Sequence, residues 1–523
     1  MPRFAAIDVG SNALRLRIVE ASAPSQGPGT RDPSPSLPDR PSVEPWRDLA
    51  TLRAPVRLGA EVFQSGRLAP LSIGQACDAL REFRGEMDRA KIDAYRATAT
   101  SAVREAKNGA TLVERARREA KIELETIEGI EEARLIQLAV TRRVPIGDQR
   151  ALLVDVGGGS TELTLIEHGQ TLFVTSLPLG TVRMLEAYLK GAKTVDRRRE
   201  RLLEEAIDRA LGEALPRLGK VDVVVGTGGN VDTLFELCPG KGRSIDVGAA
   251  RTLFKKMCGM SSNERRDEWQ LRPDRADTLL PATAIFLRLA RKLEQTTLLA
   301  PGVGLATGIL EELVDKFFHV WDAAGEAERV LEACLRLGRH YHFDEAHARQ
   351  VMRFAAQLFD DLHSVHAFGE RDRLLLRAAA ILHDIGDYIH YSGHHKHSYY
   401  LIQHADIMGL TPDERGIVAN LARYHRKGPP DTTHPNFRDL SKEGRGKVRG
   451  LAAILRLADA LDREHKQKIE SVRAAVDRGG AKVTLFLRGD EDRELEEWTV
   501  GSKATLWRDE YNLDVAIAKA EVS

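Results

Sequence analysis

No stretch of this 523-residue chain approaches the ~18 consecutive apolar residues of a membrane span. The opening Met1-Pro2-Arg3-Phe4 runs straight into a strand-like segment, with no signal-peptide h-region. Cysteine is scarce. Cys77, Cys238, Cys258 and Cys334 lie far apart and form no C-x-x-C pair, which argues against a thiolate zinc site and against a disulfide framework. A reducing cytoplasm is the expected setting, with no integral membrane association. There is no excess of either charge, since basic and acidic residues both number 77. That excludes a globally basic nucleic-acid binder, so attraction for a polyanion must come from a local cluster. Apolar residues at 42% and charged residues at 29% suit a globular chain, and the length suggests about three to five domains.

Strand and helix patterns interleave over the first three-fifths of the chain, which predicts an α/β architecture. Phe4–Val9 and the alternating Leu14, Leu16, Ile18 read as a strand pair, and Asp48–Leu58 continues the alternation. Residues 24–45 carry seven prolines and read as a flexible excursion. Helices are expected over 71–91, 108–120, 131–140, 195–218, 249–259 and 281–294, with strands at 94–100, 124–128, 152–156 and 221–225. From about Ala323 the strands vanish, and 13 of the 16 histidines fall between His340 and His434. After Gly479-Gly480, Val483, Leu485 and Leu487 alternate again, and Val515-Ala516-Ile517 follows, which predicts a small α/β tail. The divisions are 1–140, 141–315, 323–465 and 466–523.

A repeat carries the chemistry. Ile7-Asp8-Val9-Gly10-Ser11-Asn12 and Val154-Asp155-Val156-Gly157-Gly158-Gly159-Ser160-Thr161-Glu162 both run strand, Asp, Val, glycine turn, polar residues, strand. Glycines let backbone N–H groups approach an anion, hydroxyls add donors, and an Asp ending the strand can hold a divalent cation. Two such turns facing each other would clamp a phosphate chain. A third turn, Gly226-Thr227-Gly228-Gly229-Asn230, follows a strand and precedes a helix, a placement that suits phosphate or ribose contact.

These turns, together with Thr98-Ala99-Thr100-Ser101-Ala102-Val103-Arg104, Gly129-Ile130-Glu131-Glu132-Ala133-Arg134 and Pro301-Gly302-Val303-Gly304, resemble the exopolyphosphatase / guanosine pentaphosphate phosphatase family. The resemblance implies two ribonuclease H-like domains of the actin, sugar kinase and heat-shock ATPase superfamily. An all-α HD-like domain and a small α/β C-terminal domain would follow. It implies Glu132 as the carboxylate that activates water, and Asp155, Glu162 and Asp8 on the side of a Mg²⁺ or Mn²⁺ ion. Phosphate would be held by Ser11, Asn12, Arg104, Gly157, Gly158, Gly159, Ser160, Thr161, Gly228 and Gly229. The expected reaction is release of orthophosphate from inorganic polyphosphate, or removal of the 5′ phosphate of guanosine pentaphosphate in the same cleft. The expected assembly is a homodimer.

In the histidine-rich part, His347, His383-Asp384 and Asp459 follow the metal-binding order of the HD-domain fold. A buried charged Asp there is costly unless it is paired or metal-bound. His397 and His425 are candidates for a second ion or for phosphate contact. Lys396, His397, Arg423, His425, Arg426 and Lys427 are candidates for a basic polyanion track, while His394, His395 and His404 read as surface histidines. Further readings are a metal phosphohydrolase in the helical domain, and a polyphosphate sensor.

Overall fold

The computed structural model describes residues 1–22, 46–212, 214–318, 323–477, 481–489 and 492–519. The Pro-rich stretch at 24–45 lies outside them. The chain divides into two compact units, Met1–Trp321 and Asp322–Ser523.

The first unit holds two sheets of like design. Strands β1 (Arg3–Val9), β2 (Leu14–Ala21), β3 (Trp46–Ala54), β4 (Ala94–Ala99) and β5 (Leu124–Thr126) lie in the order β3-β2-β1-β4-β5. The pairs β1–β2 and β2–β3 are antiparallel, and β1–β4 and β4–β5 are parallel. The second sheet contains β6 (Ala151–Val156), β7 (Thr161–Glu167), β8 (Gln170–Leu177), β9 (Val223–Thr227), β10 (Ser244–Asp246) and β11 (Thr297–Leu299). Its order, β8-β7-β6-β9-β11-β10, repeats the first and adds an antiparallel edge strand. This order is that of the ribonuclease H-like layer. β1 and β6 are central because their apolar runs are buried on both faces, as parallel pairing under helices requires.

The helix Pro70–Ala90 covers one face of the first sheet with Ile73, Cys77, Leu80, Phe83 and Met87, spaced every three or four residues. The other face, with Phe4, Ala6 and Val19, is covered by Leu135 and by Ile309, Leu310 and Val314 of the helix Leu305–Phe317. Residues beyond the second sheet thus return to the first one, and a division at 140/141 does not separate the two cores. In the other direction, Ile136, Ala139 and Val140 of the helix Gly129–Thr141 pack beneath β6 with Leu153 and Ile166. The two exchanged helices cross where a Cβ on Gly308 would overlap the Leu135 carbonyl.

Three helices differ from the sequence expectation, the one expected over 195–218 dividing into Arg197–Leu211 and Leu215–Leu218. Residues 109–115 are α-helical, but Ala116–Ala120 form a π-turn. The helix expected at 281–294 runs from Pro273 to Lys292, with Pro281 inside it. Nearly every side chain from Ala276 to Phe286 is buried, and that burial offsets the backbone hydrogen bond Pro281 cannot make, a loss of about 3 kcal/mol.

In the second unit, long helices surround one core. β12 (Ile469–Val476), β13 (Lys482–Gly489) and β14 (Asp514–Lys519) form a sheet, antiparallel then parallel. Ile469, Val472, Leu485, Leu487 and Trp507 belong to the same cluster as Phe354, Leu358, Leu376 and Leu455. The α/β tail therefore has no core of its own, and 465/466 is not a domain boundary.

Candidate active site and a second polar cluster

The repeat in the sequence is a repeat in space. Gly10 N–H donates to the Ala13 carbonyl over 3.1 Å, and Gly157 N–H donates to the Ser160 carbonyl over 3.0 Å, closing the two hairpins alike. The turns face each other. A Cβ on Gly158 would lie 2.8 Å from Ser11 Cβ, and one on Gly159 would overlap the Phe63 ring and the Ser101 hydroxyl. Ser11 and Ser101 share a hydrogen bond of 2.8 Å across the first lobe.

Three carboxylates converge beside these turns. Asp155 stands opposite Glu162 in the β6–β7 register, and Glu132 projects from the first turn of the helix Gly129–Thr141. One oxygen from each of Glu132, Asp155 and Glu162 lies within 4.8 Å of the other two, and all three residues are buried. Thr227 Oγ1 donates to Asp155 Oδ1 over 2.5 Å, and Ser176 Oγ donates to Glu162 Oε1 over 2.8 Å. Among the described residues, Glu132 Oε2 and Glu162 Oε2 are buried with no hydrogen-bond partner. Burial, reinforced by the neighbouring carboxylates, pushes Glu132 well above its ordinary range. Burial raises Asp155 to about 6 and Glu162 to about 7. Asp8 is raised by burial, with Arg15 opposing.

The adjacent Glu131 and Glu132 divide their roles by helical phase. Glu131 Oε1 is 3.0 Å from Arg96 Nη2, and Glu131 Oε2 is 2.6 Å from Arg134 Nε, while Glu132 faces the cleft.

A cavity of ≈ 100 Å³ at the turns is lined by Asp8, Ser11, Asn12, Glu132, Asp155 and Gly158, among others, including Gly157, Ser160, Gly228 and Gly229. Gly228 takes φ +89°, where a Cβ would be strained and would stand 3.2 Å from Asp155 Oδ1. Two expected phosphate ligands, Gly159 and Thr161, do not line it. Thr161 is fully buried and its hydroxyl donates to the Leu179 carbonyl. Gly159 serves the close approach of Phe63 and Ser101. Arg104 Nη1 donates to the Ile127 carbonyl over 2.7 Å, and its charge acts on Glu132 and Glu162.

Sequence reasoning missed a second, larger cavity of ≈ 620 Å³ that shares Asp8, Arg15, Gly228, Gly229 and Arg275 with the first. Arg15, Arg53, Arg272 and Arg275 bring positive charge to it, and Asp232 and Glu236 bring carboxylates. Arg15 and Arg53 are register partners on β2 and β3, so they share a face. Their alternation with Leu14, Leu16 and Leu52 was the available signal. Burial and three neighbouring guanidiniums depress Arg275 to about 10, with Asp274 opposing.

The second unit brings together His347, His383, Asp384 and Asp459 with the second-ion candidate His425, and adds His394. All six residues sit at or next to helix ends, in or beside Glu345–Asp361, Glu370–Leu382, His394–Gln403, Pro412–Tyr424 and Lys442–Ala460. His394 and His395 are buried, contrary to their reading as surface residues, while His404 is exposed. The member of His394-His395-Lys396-His397 that joins the cluster is His394, because His397 lies one helical turn further on and packs near Gly386. His425 is buried in the cluster, so it cannot belong to a surface track. Lys396 and Lys427 are exposed, and Arg423 lies over the rings of Tyr399 and Tyr424. Burial opposes charge on His347, but Asp459 and Asp462 outweigh it and raise the imidazole to about 10. Asp384 and Asp387 raise His394 to about 9 against the same opposition. Asp384 and Asp459 are held below the carboxylate range, where histidines and Lys503 outweigh burial.

Two ribonuclease H-like lobes that close glycine turns over strand-end carboxylates define the actin-like fold class. Within it, the chain belongs to the Ppx/GppA phosphatase family, which residues 42–317 match, and residues 331–504 match the family's domain III. It is similar to the guanosine-5′-triphosphate,3′-diphosphate pyrophosphatase of Aeromonas hydrophila subsp. hydrophila, at 27% identity over 100% of this chain and 96% of the relative. The protein of the same description from Aeromonas salmonicida is 27% identical over 88% of this chain and 86% of its own. Among solved structures, an exopolyphosphatase from Cytophaga hutchinsonii shares the fold, with a TM-score of 0.53 at 23% identity over 60% of this chain and 98% of that one. Among the described residues no helix is long and apolar enough to cross a membrane.

Proposed function

We propose that the chain removes the terminal 5′ phosphate of guanosine pentaphosphate, with inorganic polyphosphate as the second reading. The order is the reverse of the sequence expectation. The observation that carries it is the ≈ 620 Å³ cavity beside the glycine turns. Its guanidiniums suit phosphates. Leu52, Leu271, Val303 and Leu305 supply an apolar wall for a base, and Asp232 and Glu236 can accept from the N–H edge of guanine. A bare polyphosphate has no use for that wall and is repelled by those carboxylates. The description of the near-full-length relatives supports the same order.

Water would attack the terminal phosphorus as the P–O bond to the bridging oxygen breaks. Glu132, in its carboxylate form, would take the proton from that water. The backbone N–H groups of the turns, with Ser11, Asn12 and Ser160, would hold the phosphoryl oxygens. The partnerless Glu132 Oε2 and Glu162 Oε2 fit a hard divalent cation in the cleft. Asp155 and Glu162 would hold Mg²⁺ or Mn²⁺, with Asp8 alongside. The bound ion supplies charge neutralisation at the phosphoryl group. The helical unit is taken as HD-like, its outer Lys396, Arg423 and Lys427 as contacts for a polyanion, and the assembly as a cytoplasmic homodimer.

The test is kcat/KM for guanosine pentaphosphate and for long polyphosphate at matched terminal ends, with Mg²⁺ and with Mn²⁺. A higher value for the nucleotide, reduced by Asp232→Leu, is expected. A higher value for polyphosphate with both metals overturns the order of the two readings.

A further inference from the structure

A third cavity of the first unit, of ≈ 210 Å³, shares no lining residue with the two cavities of the cleft. The π-turn Leu185–Leu189 and the loop after it contribute Glu186, Lys190 and Lys193 to its lining. The helix Ser262–Glu268 contributes Ser262 and Arg265, and the helix Pro273–Lys292 contributes Asp277.

Arg265 sets this cavity apart. The residue is only 7% exposed, and among the described residues neither its Nε nor its Nη1 has a hydrogen-bond partner. Burial pulls its pKa down, with Asp277 foremost in opposition. An arginine stays protonated in a protein, and a buried charge is costly until an opposite charge joins it. The nearby carboxylates are engaged elsewhere. Asp277 Oδ1 accepts from Ser262 Oγ, and its Oδ2 accepts from Arg57 Nη2 over 2.9 Å. Glu186 Oε2 accepts from Gln64 Nε2 and stands 3.1 Å from Lys190 Nζ. Lys193 adds an exposed ammonium to the same lining.

We propose that this cavity is a second anion site, one that takes inorganic phosphate. Arg265 supplies buried donors, and Lys193 supplies charge from the solvent side. Leu185, Leu189 and Met260 make the remaining wall apolar, which strengthens a charged contact within it. The volume lies below the about 300–1,000 Å³ of pockets for drug-sized ligands, which leaves out a nucleotide. Inorganic phosphate is also what the proposed reaction releases, but the site rests on Arg265 whatever the cleft hydrolyses. Two contacts in series tie it to the cleft. Arg57 comes from the first lobe, and besides bonding Asp277 it donates from Nε to Asn12 Oδ1 over 3.1 Å. Asn12 belongs to the first glycine turn and lines the cleft. An anion in the cavity with Asp277 favours a cation beside that carboxylate. Phosphate therefore strengthens the Arg57–Asp277 contact between the lobes, and the contact strengthens phosphate binding in return.

The test adds inorganic phosphate to the full chain carrying methyl-labelled methionine and follows the methyl signals by NMR. Met260 lines this cavity and no methionine lines the two cleft cavities. Its signal, identified by its absence in Met260→Leu, therefore reports this site. A saturable shift is expected. Arg265→Gln should weaken the affinity about tenfold or more, the worth of a hydrogen bond to a charged group, and Lys193→Gln should weaken it by less. Arg57→Gln, which leaves Arg265 and Lys193 in place, should weaken it about fivefold through the link. No saturable shift in the unmodified protein overturns the site, whether or not any variant folds. Unchanged affinity in Arg265→Gln, or in Lys193→Gln where Arg265→Gln does not fold, traces the shift to the cleft and overturns the site as well. Unchanged affinity in Arg57→Gln overturns the link between the cavity and the cleft.

Discussion

The two polar clusters differ in how their charges are arranged. In the cleft, Glu132, Asp155 and Glu162 are like charges brought together out of water, opposed by hydroxyl donors such as Thr227 and Ser176 and by guanidiniums such as Arg104. In the second unit, carboxylates alternate with imidazoles, and Asp384 faces four of them. The first cluster raises its carboxyl pKa values and weakens the fold when ionised. The second lowers the pKa values of Asp384 and Asp459, raises those of His347 and His394, and strengthens the fold when ionised. Removing one carboxylate therefore has opposite consequences at the two places.

The largest effect should come from Glu132→Gln, which keeps the shape and removes the proton acceptor. Phosphate release should fall about 10²–10⁴-fold, while unfolding of the second unit is unchanged. Retention of more than about a tenth of the turnover would show that another group takes the proton.

Asp384→Ala should come next. It strands buried, partly charged imidazoles, and breaking a buried pair costs about 3–5 kcal/mol. The Asp384 side chain is 20% exposed, so the lower end, about 3 kcal/mol, applies in the metal-free chain. Amide exchange in the helices Glu345–Asp361 and Pro412–Tyr424 should quicken by about 10²-fold. Unchanged exchange would mean that the ion pairs contribute nothing net.

The smallest effect is distinguished by its sign. Glu162 moves from 4.5 to about 7 on folding, so between those values the native chain holds more protons than the unfolded one. Stability of the metal-free first unit then falls as pH rises through that window. Glu162→Gln should leave the melting temperature unchanged near pH 4.5 and raise it at pH 8, and Mg²⁺ should narrow the gap by stabilising the parent. In the second unit, the contribution of Asp384 and Asp459 is lost only as pH falls below the carboxylate range. That of His347 and His394 is lost as pH rises from about 6.5 to about 9–10. A drop in melting temperature for Glu162→Gln at pH 8 would refute the like-charge account.

Much of the cleft was legible because its chemistry is local. Asp8 with Ser11 and Asp155 with Glu162 each lie within one hairpin, and strand alternation fixes which side chains share a face. The arginine pocket was not legible, because Arg272 and Arg275 come from a helix start more than 200 residues beyond Arg15 and Arg53. No pattern within either segment points to the other.

By itself, the sequence determined the two α/β halves, the paired glycine turns, the carboxylates at the strand ends and a histidine-rich helical part. Periodicity and turn chemistry act over a few residues, and those features need nothing more. Tertiary structure decided the choices between equivalent neighbours. It turned Glu132 rather than Glu131 toward the cleft, and it buried His394 while leaving His397 outside the cluster. It gave the Thr161 hydroxyl to the Leu179 carbonyl, and it set the helix Leu305–Phe317 on the first sheet. Residues one to three apart on a helix differ in angle about its axis and by less than one turn along it. What that angle faces is fixed by which distant element packs against it.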